Sequence, residues 1–406
     1  VTKPLDGIRV LDFSEHGFVP SAAAALADFG ADVIKIERPT GDPMRTIISR
    51  GMVASRDGYD YLFEFCNRNK RGICLDVETE RGREVFERLA GWAEVYVTNQ
   101  LPRVRRKLRT EPADLMAINP RLVYAKGHGQ GQRGDDAEAG GYDGVSYWAR
   151  GGVAHVLTAA DASRPVQQRP ALGDFPTGML LAGGICAGLV HVLRTGKGIV
   201  VDSSLLASAA WALAPDLAYA SLTGEQMPTR PEELMSPLMR QYRTVDGYWV
   251  ALMMIDEGRS WVPLCAALGI DGFDEHGVDA ESRKAVWPQL LERIGLVVGS
   301  LDRGTLTQRL RAHDCIFSFF STPTDVLADA ATIDNGYLMT HPDQPDLRLA
   351  AAPVQFDDQQ HEVHRAAPAR GEHSREILGE LGYSESDVAD LFEDGVVSES
   401  DDATRR

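Results

Sequence analysis

Asp174 sits in the run Gly173-Asp174-Phe175-Pro176-Thr177-Gly178-Met179, where a long apolar stretch takes up helical spacing. A carboxylate at such a place has two uses. It can cap the helix by accepting first-turn amides, or it can serve as a nucleophile. The uses are compatible, because amides that satisfy an ionised carboxylate also orient it. A second stretch, Gly127-His128-Gly129-Gln130-Gly131-Gln132-Arg133-Gly134, looks superficially like a dinucleotide loop. It follows a late strand rather than the first strand–helix turn, and no long helix follows at once. That weighs against a nicotinamide cofactor. The cysteines at 66, 74, 186, 265 and 315 form no CxxC pair and no cluster with zinc spacing. They are expected to be buried free thiols, and no metal is implied.

The elements that must position Asp174 follow from the patterning. Ile8–Phe13 reads as a strand, then Gly17 and Pro20 mark a loop, and Ser21 is expected to cap an alanine-rich helix ending at Gly30. Ala31–Glu37 is a second strand, giving a parallel βαβ unit. Further strands are expected at Gly72–Asp76, Ala93–Thr98 and Leu122–Lys126, with a helix from Thr79 to Ala90. The first 200 residues read as a doubly wound α/β domain. Residues 127–144 form a long glycine-rich loop of the kind that carries function. Asp246-Gly247, between Gln241–Thr244 and Tyr248–Leu252, predicts a tight hairpin, with helices over 258–313. Ala351–Val354 reads as a strand, and Ser374–Leu381 and Ser386–Leu391 as helices. The partition is 1–224, a smaller unit at 225–325, and a closing part at 326–406.

With 406 residues, 44% hydrophobic and 25% charged, the chain can bury a large core. A net charge of -17 argues against general nucleic-acid binding, which needs a basic face. It leaves room for an anionic small ligand held by local cations. Val1-Thr2-Lys3-Pro4 leads straight into a strand pattern with no basic-then-apolar targeting core, so a cytoplasmic protein is expected. The apolar windows 179–193 and 205–219 are interrupted by Gly183, Gly184, Gly188 and Pro215. Both are expected to be buried helices rather than membrane spans.

An ordered set of landmarks resembles the class III coenzyme A transferases (CaiB/BaiF type), whose fold α-methylacyl-CoA racemases share. The set runs from Leu5–Asp12 and Ala27–Pro39 through Asn67–Gly72 and the 127–134 glycines. It continues with Gly173-Asp174, Thr195–Gly198 and Asp246–Tyr248, and closes with Gly371–Ser374 and Leu378–Tyr383. The resemblance covers nearly the whole chain. It implies a Rossmann-like large domain built from both chain ends, a smaller α+β domain between them, and an interlocked homodimer. Its substrates would be acyl-CoA and free carboxylic acids, with no tightly bound cofactor.

By the same resemblance Asp174 would attack the thioester carbonyl and form first an aspartyl anhydride, then an aspartyl-CoA thioester. Racemases carry a histidine in a Gly-His-Asp-like segment; here the stretch is Gly141-Tyr142-Asp143-Gly144, so Tyr142 replaces it. A tyrosine, with a reference pKa near 10, suits proton abstraction poorly at neutral pH. A racemase remains the enzymatic alternative, and a catalytically silent CoA-binding scaffold the non-enzymatic one. Gly17, beside His16, stands where oxalate-related members have a glutamine. Met253-Met254 stand where those members have a dense glycine loop, and either line an apolar acyl pocket or pack in the core. Both departures argue against formyl-CoA or oxalyl-CoA. Arg38, Lys70, Arg71, Arg103 and Lys126 are the implied partners of the CoA phosphates. His16, Gly17, His128, Gln130 and Tyr142 are the implied pocket residues around the acyl group.

Overall fold

Short apolar runs bounded by glycine and acidic turns form the strands of a mixed α/β fold. The computed structural model describes residues 2–55, 59–228, 235–273 and 279–400. Strands β1 (Arg9–Asp12), β2 (Asp32–Glu37), β3 (Arg71–Leu75), β4 (Val95–Thr98), β5 (Val123–His128) and β6 (Ile199–Ser204) pair in parallel. Next come β7 (Gln241–Arg243), β8 (Trp249–Leu252) and β9 (Phe317–Phe319), all antiparallel. A two-stranded pair, β10 (Leu338–Thr340) and β11 (Arg348–Ala350), precedes the last strand, β12 (Val397–Ser398).

The large sheet has the order β12-β3-β2-β1-β4-β5-β6, with β12 antiparallel to β3. From β3 to β6 this is the doubly wound order, and the strand sequence reverses between β1 and β4. The crevice at that reversal, beyond the carboxyl ends of the strands, is where such sheets hold ligands. One face of the sheet buries Phe86 and Leu89 of the helix Glu80–Trp92 with Ile377, Leu378 and Leu391 from the chain's end. The other buries the helix Phe18–Asp28 and the inner side of Asp174–Thr195, through Leu181, Ile185 and Leu189.

The described chain divides into two compact units, Val1–Thr223 with Ala330–Arg406, and Gly224–Asp329. Within the smaller unit, helices Glu257–Leu268, Trp287–Ser300 and Arg303–Ala312 enclose a core around fully buried Trp261. Its indole N–H donates to the Phe273 carbonyl at 2.8 Å. Met254 belongs to that core, whereas Met253 is exposed.

Several local expectations need correction. Ser21 is inside its helix, which begins after Gly17; its hydroxyl donates back to the Phe18 carbonyl at 2.7 Å. Ala351–Val354 lies past the end of β11. Three cysteines are buried, but Cys186 and Cys315 are partly exposed. The apolar windows are only partly buried. Leu193, Trp211 and Leu222 are 76%, 77% and 88% exposed, and the helix Ala214–Thr223 buries no residue. Helix Asp174–Thr195 is long and apolar enough to cross a bilayer by length and composition. Its inner face packs on the sheet, as a core helix would.

Candidate active site

The loop after β1 is held from below by two buried ion pairs. Lys70 Nζ donates to Asp12 Oδ2 at 2.7 Å, and both side chains are fully buried. The other Asp12 oxygen accepts the Ser14 amide at 3.1 Å. Lys35 Nζ donates to the Ser14 carbonyl and to Asp42 Oδ2, each at 2.9 Å. Asp42 Oδ1 then accepts the His16 amide at 3.1 Å. His16 has φ +66°, a left-handed conformation that costs a residue with a β-carbon energy. The braced loop sets Gly17 directly against the Asp174 carboxylate.

Asp174 opens its 22-residue helix. Preceding Gly173 donates its N–H to Asp143 Oδ2 at 3.0 Å. A β-carbon on Gly173 would lie 2.3 Å from Tyr147 Cγ, so only glycine lets the chain pass there. Burial pushes the Asp174 carboxyl up to about 7, and the nearby Asp143 carboxylate adds to the shift. Both are the recognised causes of a carboxyl shifted toward neutral pH. Asp143 is itself buried and raised by burial, with the Gly173 amide holding it back. A carboxyl poised near neutrality in a crevice marks a functional-site candidate.

A cavity of about 300 Å³ opens at this point. Its walls come from the carboxyl ends of successive strands: Glu15, His16 and Gly17 after β1, Arg38 after β2, and Asn99 to Leu101 after β4. His128, Tyr142 and Asp174 complete the lining. His128 is buried; burial, with help from Arg105 and Lys126, pushes its pKa down to about 4, so its ring is neutral at pH 7. Tyr142 is 66% exposed and meets the His16 ring edge-on, with centroids 5.2 Å apart and planes at 83°. Arg38 pairs with Glu15 at 2.5 Å on the same wall.

Of the residues singled out in sequence, Asp174, His16, Gly17, Arg38, His128 and Tyr142 therefore share one cavity. Lys70 and Arg71 do not. Lys70 is used up by Asp12, the Asn67 side chain and the Pro20 carbonyl, so it is a buried brace rather than a phosphate ligand. Arg71 is held by Asp32, Glu376 and Glu380 at 2.6–2.8 Å, and the three carboxylates outweigh burial to raise its pKa. It ties β3 to β2 and to the helix Ser374–Glu380. Lys126 bonds to Gln132, Arg103 to Glu138, and Gln130 to Arg150. None of these three is among the described residues lining the cavity. Asp143 was not anticipated, although its place beside Tyr142 in a glycine-flanked segment offered a signal.

A larger cleft, about 590 Å³, lies elsewhere, between Arg45, Tyr59, Phe63 and His341. Its polar groups are largely committed: His341 pairs with Glu64 at 2.9 Å, and Arg45 with Glu37 at 2.6 Å. The smaller cavity holds the poised carboxyl and lies at the strand reversal, so it is the better site.

A doubly wound sheet with a partly buried, up-shifted carboxyl in the crevice at its strand reversal is an arrangement that suits a small ligand. The chain belongs to CoA-transferase family III, whose model matches residues 5–374. It is 28% identical over 397 residues to (R)-2-hydroxy-4-methylpentanoate CoA-transferase of Clostridioides difficile, covering 97% of this chain and 99% of that one. It is also 28% identical to human alpha-methylacyl-CoA racemase, covering 97% of each. The structure of a CAIB/BAIF family protein from Brucella suis superimposes with a TM-score of 0.78 at 28% identity, covering 94% of this chain and all of that one.

Proposed function

We propose that the chain is an acyl-CoA:carboxylate CoA-transferase with Asp174 as covalent nucleophile. The observation that carries this reading is the Asp174 carboxyl, poised at about 7 in the strand-end cavity and pressed against Gly17. Asp174 attacks the thioester carbonyl, the C–S bond breaks, and CoA leaves as thiolate with the bonding pair. The product is a mixed anhydride. The thiolate then attacks the Asp174 carbonyl of that anhydride and expels the first acid as carboxylate, leaving an aspartyl-CoA thioester. A second acid's carboxylate attacks this thioester and releases the thiolate again. Attack of that thiolate on the new acyl carbonyl yields the new acyl-CoA and restores Asp174. Each step exchanges one acyl bond for another, which divides a hard transfer into easier ones. Burial favours this chemistry twice: it raises carboxylate basicity, and it limits the water that would hydrolyse the anhydride.

Arg38 remains the candidate cation for CoA on the cavity wall. Racemisation needs a second acid–base group on the other face of the α-carbon. His16 shares the cavity with Asp174, so that reading is tested in the same assay. Incubation with acyl-CoAs and free acids in deuterated water, read by mass spectrometry, separates the possibilities. CoA exchange with hydroxylamine-trapped Asp174 supports transfer; α-deuteration with no exchange supports racemisation; CoA binding with neither supports a silent scaffold.

We further propose a homodimer. Helix Asp174–Thr195 exposes Leu180, Val190 and Leu193, and helix Leu205–Ala212 exposes Trp211, large apolar side chains of the kind that cluster at interfaces. Light scattering of wild type and of Leu193→Asp tests it: a monomeric wild-type mass overturns the proposal.

A further inference from the structure

Beside Asp174, His16 has a backbone its residue type does not favour. This residue is held in a left-handed backbone conformation, yet glycine, which adopts it freely, is not used. The buried Lys35–Asp42 pair maintains the strain by fixing the His16 amide. Strain maintained next to a reacting group points to a side chain that is needed where it is. Its ring meets Tyr142 edge-on, and both rings line the cavity that contains Asp174. An edge-to-face pair leaves an aromatic face open for a further ring or apolar group.

The charges lining the cavity weigh against another kind of ligand. Glu15 and Glu78 line the cavity in ion pairs with Arg38 and Lys107, Asp174 lines it too, and Arg38 is the candidate cation for CoA. A second carboxylate on the acid would be desolvated beside Asp174 with both of these cations already committed, a costly placement.

Resting on the transferase reading of Asp174, we infer that His16 and Tyr142 form the wall that selects the acid. They favour a monocarboxylic acid with an aromatic body over a dicarboxylic acid. His16 and Tyr142 are specificity residues, and Asp42 is the positioning residue that aims His16.

The test compares acceptors at pH 8, with acetyl-CoA, butyryl-CoA and succinyl-CoA as donors. The acceptors are 3-phenylpropanoate, hexanoate and glutarate. The wild type should prefer 3-phenylpropanoate to glutarate by at least roughly tenfold in kcat/KM, and should prefer it to hexanoate. In His16→Gly and Tyr142→Ala the ratio of 3-phenylpropanoate to hexanoate should fall roughly 3- to 10-fold, the size of one aromatic contact. His16→Phe should restore part of the ratio. His16→Gly should also melt at a higher temperature, because glycine relieves the strain, so that loss of selectivity cannot be ascribed to unfolding. Glutarate accepted as well as 3-phenylpropanoate overturns the inference. So do variants that lose all acceptors in proportion. If no acid receives CoA from any donor and hydroxylamine traps nothing on Asp174, the transferase reading fails and takes this inference with it.

Discussion

Gly17 and Asp174 share a space that has no room for a methyl group: a β-carbon on Gly17 would stand 2.6 Å from Oδ2 and 3.2 Å from Cγ of Asp174. Gly17→Ala must therefore displace the carboxylate or the loop. A misplacement of about 1 Å near a reacting atom costs on the order of 100-fold in rate. We expect CoA exchange to fall by about that factor, with the melting temperature lowered by only a few degrees. Steady-state exchange and a thermal melt of the same preparation check it.

Activity should depend on Asp174 ionisation. The nucleophile is the carboxylate, and its carboxyl is raised to about 7, so kcat/KM should rise with pH through about 7 and then level. Asp174→Asn should be inactive yet more stable. The sign follows from linkage: a carboxyl raised from 3.8 to about 7 binds more protons folded than unfolded between those values. The wild type then loses stability as pH rises from about 4 to 7. The variant should gain roughly 1–3 kcal/mol above pH 7, discounted because the group borders an open cavity, and nothing below pH 4. Urea melts at pH 4 and pH 8 decide it.

Asp143 contributes to the Asp174 shift through its charge and holds the Gly173 amide. Asp143→Asn keeps the shape and removes the charge. Its pH–rate midpoint should move to lower pH than the wild type's. Asp143→Ala loses the bond to Gly173 as well, and should cost about 1–2 kcal/mol of stability. A midpoint unchanged in Asp143→Asn would show that burial alone sets the Asp174 pKa.

Lys70→Ala should behave as a core lesion. It strands Asp12 without its partner, at a cost of about 3–5 kcal/mol. Calorimetric titration with CoA, performed well below the variant's melting temperature, should give a Kd within about twofold of the wild type. A large rise in Kd with little change in stability would restore Lys70 as a phosphate ligand.

The place of Asp174 at a helix start was legible in the local pattern, whereas its role and its pocket neighbours came only from the family resemblance. An aspartate after a glycine at the start of an apolar helix is a short-range pattern, and the strand ends that surround it follow from the βαβ order. Lys70 and Arg71 were misread for the opposite reason. Their partners, Asp12 and Asp32 on β1–β2 and Glu376 and Glu380 near the chain's end, are distant in sequence. A cation's sequence neighbours do not reveal whether its charge is already spent. β6 went unread because Ile199–Ser204 sits between two apolar helices, and β12 has only two residues. The outward apolar face was hidden too: helix Asp174–Thr195 is apolar nearly all round, so periodicity could not separate its buried side from the exposed one.

The placing of β12 governs how the chain can be made. Residues 397–398 cover the outer edge of β3, and Ile377, Leu378 and Leu391 fill the core beneath it. A ribosome thus delivers the first six strands long before their last neighbour, with the smaller unit synthesised in between. Throughout that interval β3 presents an open edge, the kind that recruits other chains. The nascent protein must stay guarded until its final helices emerge. A premature stop that spares every residue of the Asp174 cavity but removes those helices would still yield no lasting enzyme.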